Sequence, residues 1–227
     1  FKQKTAYEIK ECDWSSDVCS SDLGKVTTAE WLDVMRSAHE LGLRSTATIM
    51  FGHVEAPRHW ARHLLRIRAL QEQTRGFTEF VPLPFVHMEA PVYLRGGARK
   101  GPTFREALLM HAVARLVLNS VLPNIQVSWV KMGEAGVATA LAAGANDLGG
   151  TLMNESISRA AGTQHGQETA PAVMDALIRN AGRVPHQRTT LYGAVPAERV
   201  QSSRRASALA ALPVLAMPLR RRISAAA

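Results

Sequence analysis

Apolar positions along this chain alternate between a helical spacing of three to four residues and short continuous runs. Thr27 or Thr28 can cap a helix with Glu30 in its first turn. Trp31, Met35, Ala38 and Leu41 then follow at helical spacing until Gly42. Ser45 to Phe51 is β-branched and apolar and stops at Gly52, which predicts a buried strand. Pro57 suits the first turn of a second helix, whose stripe is Trp60, Leu64, Ile67 and Leu70. Phe77 to Leu83 predicts a second strand. A long Pro- and Gly-containing loop then runs to Pro102, ahead of a helix carrying Phe104, Leu108, Ala112 and Leu116. Ile125 to Val130 predicts a third strand, followed by a helix with Val137 and Leu141. Ala145 to Leu148 predicts a fourth strand, and a further helix is expected from about Thr169 to Asn180.

Strands that alternate with helices in this way run parallel, with the helices packed outside them. The expected class is therefore α/β. Four strand–helix units make half of an eight-stranded TIM-like barrel, in which reacting groups sit on the loops after the strands.

Composition changes this picture only at the two ends. The 227 residues are 46% hydrophobic and 20% charged, enough for one domain with a sizeable core. The formal net charge of +8 raises the question of a nucleic-acid partner. Much of that charge is local: Arg199, Arg204, Arg205, Arg220, Arg221 and Arg222 lie near the C-terminus, among Ala, Ser and Leu with Pro213 and Pro218. Residues 201–227 are thus expected to form a disordered Ala/Arg-rich tail. The remaining charge is mixed in sign along helices, as on a solvated surface, so no nucleic-acid partner is expected. No apolar run reaches membrane length and no secretory signal order opens the chain, so no membrane partner is expected and a cytoplasmic location is.

The two cysteines, Cys12 and Cys19, match neither a zinc ribbon nor a redox pair. The segment around them lacks periodicity and gives way abruptly at Gly24 to patterned sequence. It resembles a translated sequencing adapter. Residues 1–23 are accordingly expected to be non-native, and residues 24–200 to form the half-barrel.

The candidate chemistry gathers at the predicted strand ends. After the first strand, Gly52 permits close backbone approach, and His53 and Glu55 can hydrogen-bond a ligand. A plain strand-to-helix turn would account for the same residues. Beyond the second strand, prolines stiffen the segment that presents His87 and Glu89, while Glu79 inside the apolar strand needs a buried partner. The third and fourth strands lead into Ser128, Lys131, Asn146, Asp147 and Thr151 beside glycines, where backbone N–H groups and side chains can meet an anionic or carbonyl ligand. The polar run that follows contains Glu155, Arg159 and His165, and a solvated helix would explain it equally well. Signatures of metallohydrolases, P-loop proteins and α/β-hydrolases are missing, and spacing alone names no reaction.

Four phrases at the four strand ends, TATIMFGHVE, FTEFVPLPFVHMEAPVYL, NIQVSWVKMG and GANDLGGTLMNESISRAAGTQHG, are similar to the deazaflavin-precursor (FO) synthase family. They resemble its tyrosine-using CofH-type component, or the C-terminal half of the fused FbiC-type enzyme, from about Lys25 to Arg199. The resemblance implies a radical S-adenosylmethionine enzyme of deazaflavin coenzyme biosynthesis, with this chain as the C-terminal half of its barrel. It implies S-adenosyl-L-methionine and a 4Fe-4S cluster as cofactors, the former cleaved to a 5′-deoxyadenosyl radical. It further implies transfer of the 4-hydroxybenzyl group of tyrosine to 5-amino-6-(D-ribitylamino)uracil, with a ring-closing component as fused or separate partner.

Thr48, Met50, Gly52, His53 and Glu55 resemble the GxIxGxxE strand on the adenosyl side, with Thr48 and Met50 in place of the usual Gly and Ile. Glu79, His87, Glu89, Ser128, Lys131, Asn146, Asp147, Thr151, Glu155, Arg159 and His165 become the expected substrate-binding set. The family's C-x-x-x-C-x-x-C cluster loop does not occur in this sequence, and Cys12 and Cys19 cannot replace it. The expectation is a truncated reading frame that is inactive as it stands and holds no metal ligands. Competing expectations are a ring-closing or futalosine-pathway relative, or a non-catalytic binding module using the Arg-rich tail.

Overall fold

A computed structural model of the chain describes residues 26–152 and 154–210. The expected adapter-like segment 1–23, both cysteines and residues 211–227 lie outside the described residues. The chain folds in the order α1 (Thr28–Glu40), β1 (Ser45–Phe51), α2 (Pro57–Thr74), β2 (Phe77–Pro84), α3 (Pro91–Leu94), α4 (Phe104–Leu118), α5 (Trp129–Ala142), α6 (Ile157–Ala160), α7 (Pro171–Asn180) and α8 (Ala197–Arg205).

Local chemistry sets several of these boundaries. Thr27 Oγ1 accepts from the Glu30 N–H at 3.2 Å while Glu30 accepts from the Thr27 N–H at 2.6 Å, which satisfies two donors at the start of α1. The same reciprocal pair, Thr103 and Glu106, starts α4. Pro57 opens α2, and Arg75 in the left-handed region (φ 52°) ends it.

β1 and β2 pair in parallel, Thr48 opposite Val81 and Phe51 opposite Pro84, with a register shift between Ser45 and Ala47. The third and fourth predicted strands are much shorter than expected. Phe80 bridges Ile125 and Gln126 bridges Asp147, both in parallel sense, so the strand order continues only as isolated bridges. Trp129 and Val130, expected at the end of the third strand, belong instead to the first turn of α5. The side chain of Asn146 replaces part of the missing ladder: its Oδ1 accepts from the Ile125 N–H and from Arg115 Nη2, each at 2.8 Å. The parallel α/β arrangement is as expected, although among the described residues a strand ladder is formed only by β1 and β2. Inside the long loop before α4, α3 occupies four residues that the apolar pattern did not mark. The expected tail boundary at residue 200 falls within α8.

Helices cover one face of the strands. Trp60, Leu64, Ile67 and Leu70 of α2 and Met110, Ala114 and Leu118 of α4 bury against Phe51, Phe77 and Phe80. A second cluster joins Val127 and Leu148 to Val137 and Leu141 of α5 and Met174 of α7. Because strand side chains alternate, the opposite face carries the remainder, among them Thr46 and Glu79. That face is the more polar of the two, although Met50, Val81 and Leu83 also lie on it. No helix among the described residues is long and apolar enough to cross a membrane.

Candidate functional site

The turn after β1 is organised by one carboxylate. Glu55 folds back so that its two oxygens accept from the backbone N–H groups of Gly52, His53 and Val54, from His53 Nδ1, and from Trp60 Nε1 at 2.7 Å. Burial works against the ionised form, yet the bonds from His53 and the turn backbone outweigh it and hold Glu55 well below the usual carboxylate range. Glu55 therefore shapes the turn and presents no unused oxygen to a ligand. Gly52 has φ 93°, and a Cβ there would lie 2.2 Å from the Pro102 ring, so only glycine fits. His53 is buried beside Phe85, at a ring-centroid distance of 5.4 Å. Thr48 is exposed on β1, while Met50 packs against the small cluster of Phe85, Ala90 and Val92.

A second group meets at the start of α5. Lys131 Nζ lies 3.2 Å from Ser158 Oγ, the Ser158 N–H donates to Glu155 Oε1 at 2.5 Å, and the Glu155 N–H donates to the Gln167 carbonyl. Burial depresses the Lys131 ammonium, and Glu155 opposes that shift. Ser128 is the N-cap residue of α5, yet its hydroxyl makes no capping bond. The loop after β2 approaches the same place: the Glu89 N–H donates to the Ala161 carbonyl at 3.2 Å, and Gly162 packs on Met88. His87 is half-buried with its ring edge-on to Tyr93 at 4.7 Å, whereas Glu89 is exposed. His165 stacks against Gly133, where α5 kinks (φ 64°), and lines a cleft with Trp129, Glu134 and Gln164. Arg159 Nη1 reaches Gln167 Oε1 at 3.4 Å, and the Thr151 carbonyl accepts from the Thr169 N–H.

A third group occupies the polar face of the strands. Thr46 Oγ1 donates to Glu79 Oε1 at 2.6 Å, while Glu79 Oε2, also buried, has no partner among the described residues. Buried Asp147 accepts from the Gly149 N–H at 2.6 Å and, on Oδ2, from Arg188 Nε and the Tyr192 hydroxyl, each at 2.5 Å. Arg188 and Tyr192 belong to a turn closed by an antiparallel bridge between Arg188 and Ala194, and the guanidinium lies 4.0 Å over the Tyr192 ring. Burial alone would lower Arg188, but Asp147 more than offsets it and raises it above its ordinary range. Burial and the Asp147 bond push the Tyr192 phenol up as well.

The expected set thus divides. His53 and Glu55 form the first turn, Lys131 and Glu155 meet at α5, and Asp147 stands with Glu79 on the polar face. Asn146 holds the backbone together. Sequence reasoning missed Thr46, Ser158, Arg188 and Tyr192. The need of a buried Asp147 for cationic or hydroxyl partners was a usable signal, but nothing in the sequence said which of the distant arginines would supply them.

The family described as the CofH/MqnC C-terminal region matches residues 74–200. The FO synthase of Streptomyces avermitilis is 53% identical over 180 residues, which is 79% of this chain and 21% of that protein. The FO synthase of Mycobacterium tuberculosis strain H37Rv is 50% identical over 174 residues, covering 77% of this chain and 20% of that protein. The 5-amino-6-(D-ribitylamino)uracil--L-tyrosine 4-hydroxyphenyl transferase of Methanopyrus kandleri is 50% identical over 188 residues, 83% of this chain and 50% of that protein. The chain spans about a fifth of the FO synthases and half of the transferase.

Proposed function

Because the chain belongs to the CofH/MqnC C-terminal region family, within the FO synthases, we propose that it is the C-terminal half of a radical S-adenosylmethionine barrel. In this reading the whole enzyme transfers the 4-hydroxybenzyl group of tyrosine to 5-amino-6-(D-ribitylamino)uracil. The observation that carries it is the 50% identity to the Methanopyrus kandleri transferase over nearly all described residues, including every strand end that bears candidate chemistry. The family description joins two names, whereas the relatives matched at 50–53% identity are FO synthases and this transferase, which favours the tyrosine-using reaction over a futalosine-pathway one.

The described residues fit the two cofactors differently. They include no cysteine and no cluster of three metal-ligating side chains, so none of them would hold a 4Fe-4S cluster, and no step is derived through it. S-adenosylmethionine fits the β1 turn. There the Gly52–Val54 backbone is held rigid by Glu55 beneath it. Bound and given one electron by a reductant outside the described residues, S-adenosylmethionine would release methionine and supply a carbon-centred radical that removes hydrogen from substrate. The contribution of this chain is to position and to exclude water. Thr48, Met50 and the turn line the adenosyl side. His87, Ser128, Lys131 and Thr151 line the mouth where the substrates would meet, and Glu79 and Asp147 close the lumen beneath. A ring-closing component, fused or separate, would take the product onward.

The test is genetic. The part of the Methanopyrus kandleri transferase that precedes the matched region is fused to residues 26–227, and the fusion is expressed in a host lacking its own transferase. Restored deazaflavin fluorescence is expected. A folded, expressed fusion that never restores it would contradict the proposal.

A further inference from the structure

The start of α5 holds a cation with no direct ion-pair partner among the described residues. Lys131 has three ammonium donors, and among the described residues one of them meets a neutral acceptor, Ser158 Oγ, at 3.2 Å, while no carboxylate lies within ion-pair distance. Glu155 acts on it electrostatically but spends Oε1 on the Ser158 N–H. A half-buried ammonium left in that condition pays desolvation with little return, so an anion there is favoured.

A second observation points the same way. Ser128 is 6% exposed, yet its hydroxyl caps nothing and makes no hydrogen bond among the described residues. The Lys131 N–H donates to the Ser128 carbonyl at 3.1 Å, so the two residues belong to the same first turn of α5. The regular helix breaks at Gly133 after that single turn, which leaves the side chains rather than a helix dipole to define the site.

We propose that Ser128 and Lys131, backed by Ser158, form a carboxylate-binding subsite that takes the α-carboxylate of an amino acid. This assignment rests on the transferase reading for the identity of that amino acid. S-adenosylmethionine also carries an α-carboxylate, but in that reading it is assigned to the β1 turn; of the two substrates tyrosine alone carries one, so the subsite places tyrosine at the start of α5. Lys131 is thereby the residue that discriminates amino acid from amine, and Ser128 orients the bound carboxylate through its hydroxyl.

The test is calorimetric titration of the full chain with L-tyrosine, with 3-(4-hydroxyphenyl)propionate, which keeps the carboxylate and lacks the ammonium, and with tyramine, which lacks the carboxylate. Both carboxylates should bind about ten-fold or more tighter than tyramine, the return of one charge-assisted contact. Lys131→Gln should remove that advantage and leave tyramine unchanged. Lys131→Arg should retain most of it, and Ser128→Ala should lose part. Tyrosine binding unchanged in a Lys131→Gln protein whose circular dichroism matches the parent overturns the subsite while leaving the transferase reading intact, and so does equal binding of tyramine. Failure of both carboxylates to bind also overturns it. If L-alanine binds through Lys131 as well as tyrosine does, the carboxylate subsite stands and the tyrosine reading falls.

Discussion

Trp60 Nε1 donates to Glu55 Oε1 at 2.7 Å, tying the first turn of α2 to the carboxylate that gathers the N–H groups at the end of β1. Replacing Glu55 with Gln sets an amide N–H₂ among donors and removes a charged acceptor. The substitution should cost about 1–3 kcal/mol of stability at pH 7, measured by urea unfolding of the fused enzyme. The pH dependence has a definite sign. A carboxylate held far below its ordinary 4.5 contributes stability that is fully present above that pH and is lost as the pH falls toward the folded value. The gap between parent and variant should therefore narrow below pH 4.5, and a gap constant down to pH 3 would contradict the structural role.

His63 on α2 offers the opposite charge logic. Its Nε2 is buried without a partner among the described residues, and burial pulls the imidazole down from 6.5 to about 4. Between those values the unfolded chain binds a proton that the folded chain refuses, so stability should fall as pH drops through that window, by roughly 3 kcal/mol at most. His63→Phe should flatten the dependence. An unchanged slope in the variant would place the titration elsewhere.

Much of the fold was legible because burial imposes a period. The stripe Trp60, Leu64, Ile67 and Leu70 is the buried face of α2, and the Thr27–Glu30 spacing is a cap the structure forms; the equivalent Thr103–Glu106 cap of α4 was not marked in the sequence. The third and fourth strands were over-read, since an apolar run such as Ile125 to Val130 satisfies a strand and a buried helix start alike, and here it is divided between the two. The Glu55 motif was visible, but its direction was not: sequence placed a carboxylate beside a ligand, and the structure turns it onto its own backbone. Arg188 and Tyr192 were invisible because they reach Asp147 across 41 and 45 residues, a pairing that no local pattern encodes.

That pairing predicts how the last turn is held. Asp147→Asn keeps the shape but removes the charge that binds Arg188 and weakens the acceptor for Tyr192. Hydrogen exchange at residues 188–194 should accelerate by roughly ten-fold or more while α2 stays protected, because a half-buried charge loses its partner. Unchanged exchange there would show that the turn is held by other contacts.

His87 stands beyond β2 with its ring edge-on to Tyr93 at 4.7 Å. His87→Ala in the fused enzyme should lower formation of the hydroxybenzyl adduct by about two to three decades through lost positioning. Cleavage of S-adenosylmethionine, followed as 5′-deoxyadenosine, should continue. Parallel loss of both products would assign His87 to the adenosyl side instead.

We propose that these residues complete a tyrosine-to-uracil transferase. The most direct measurement is an anaerobic assay of the fused enzyme, reconstituted with iron and sulfide and supplied with S-adenosylmethionine, ring-labelled tyrosine and 5-amino-6-(D-ribitylamino)uracil. Mass spectrometry should find the labelled 4-hydroxybenzyl group on the uracil only when both substrates are present. Adenosyl cleavage without any labelled adduct, from a folded enzyme holding its full cluster, would contradict the account.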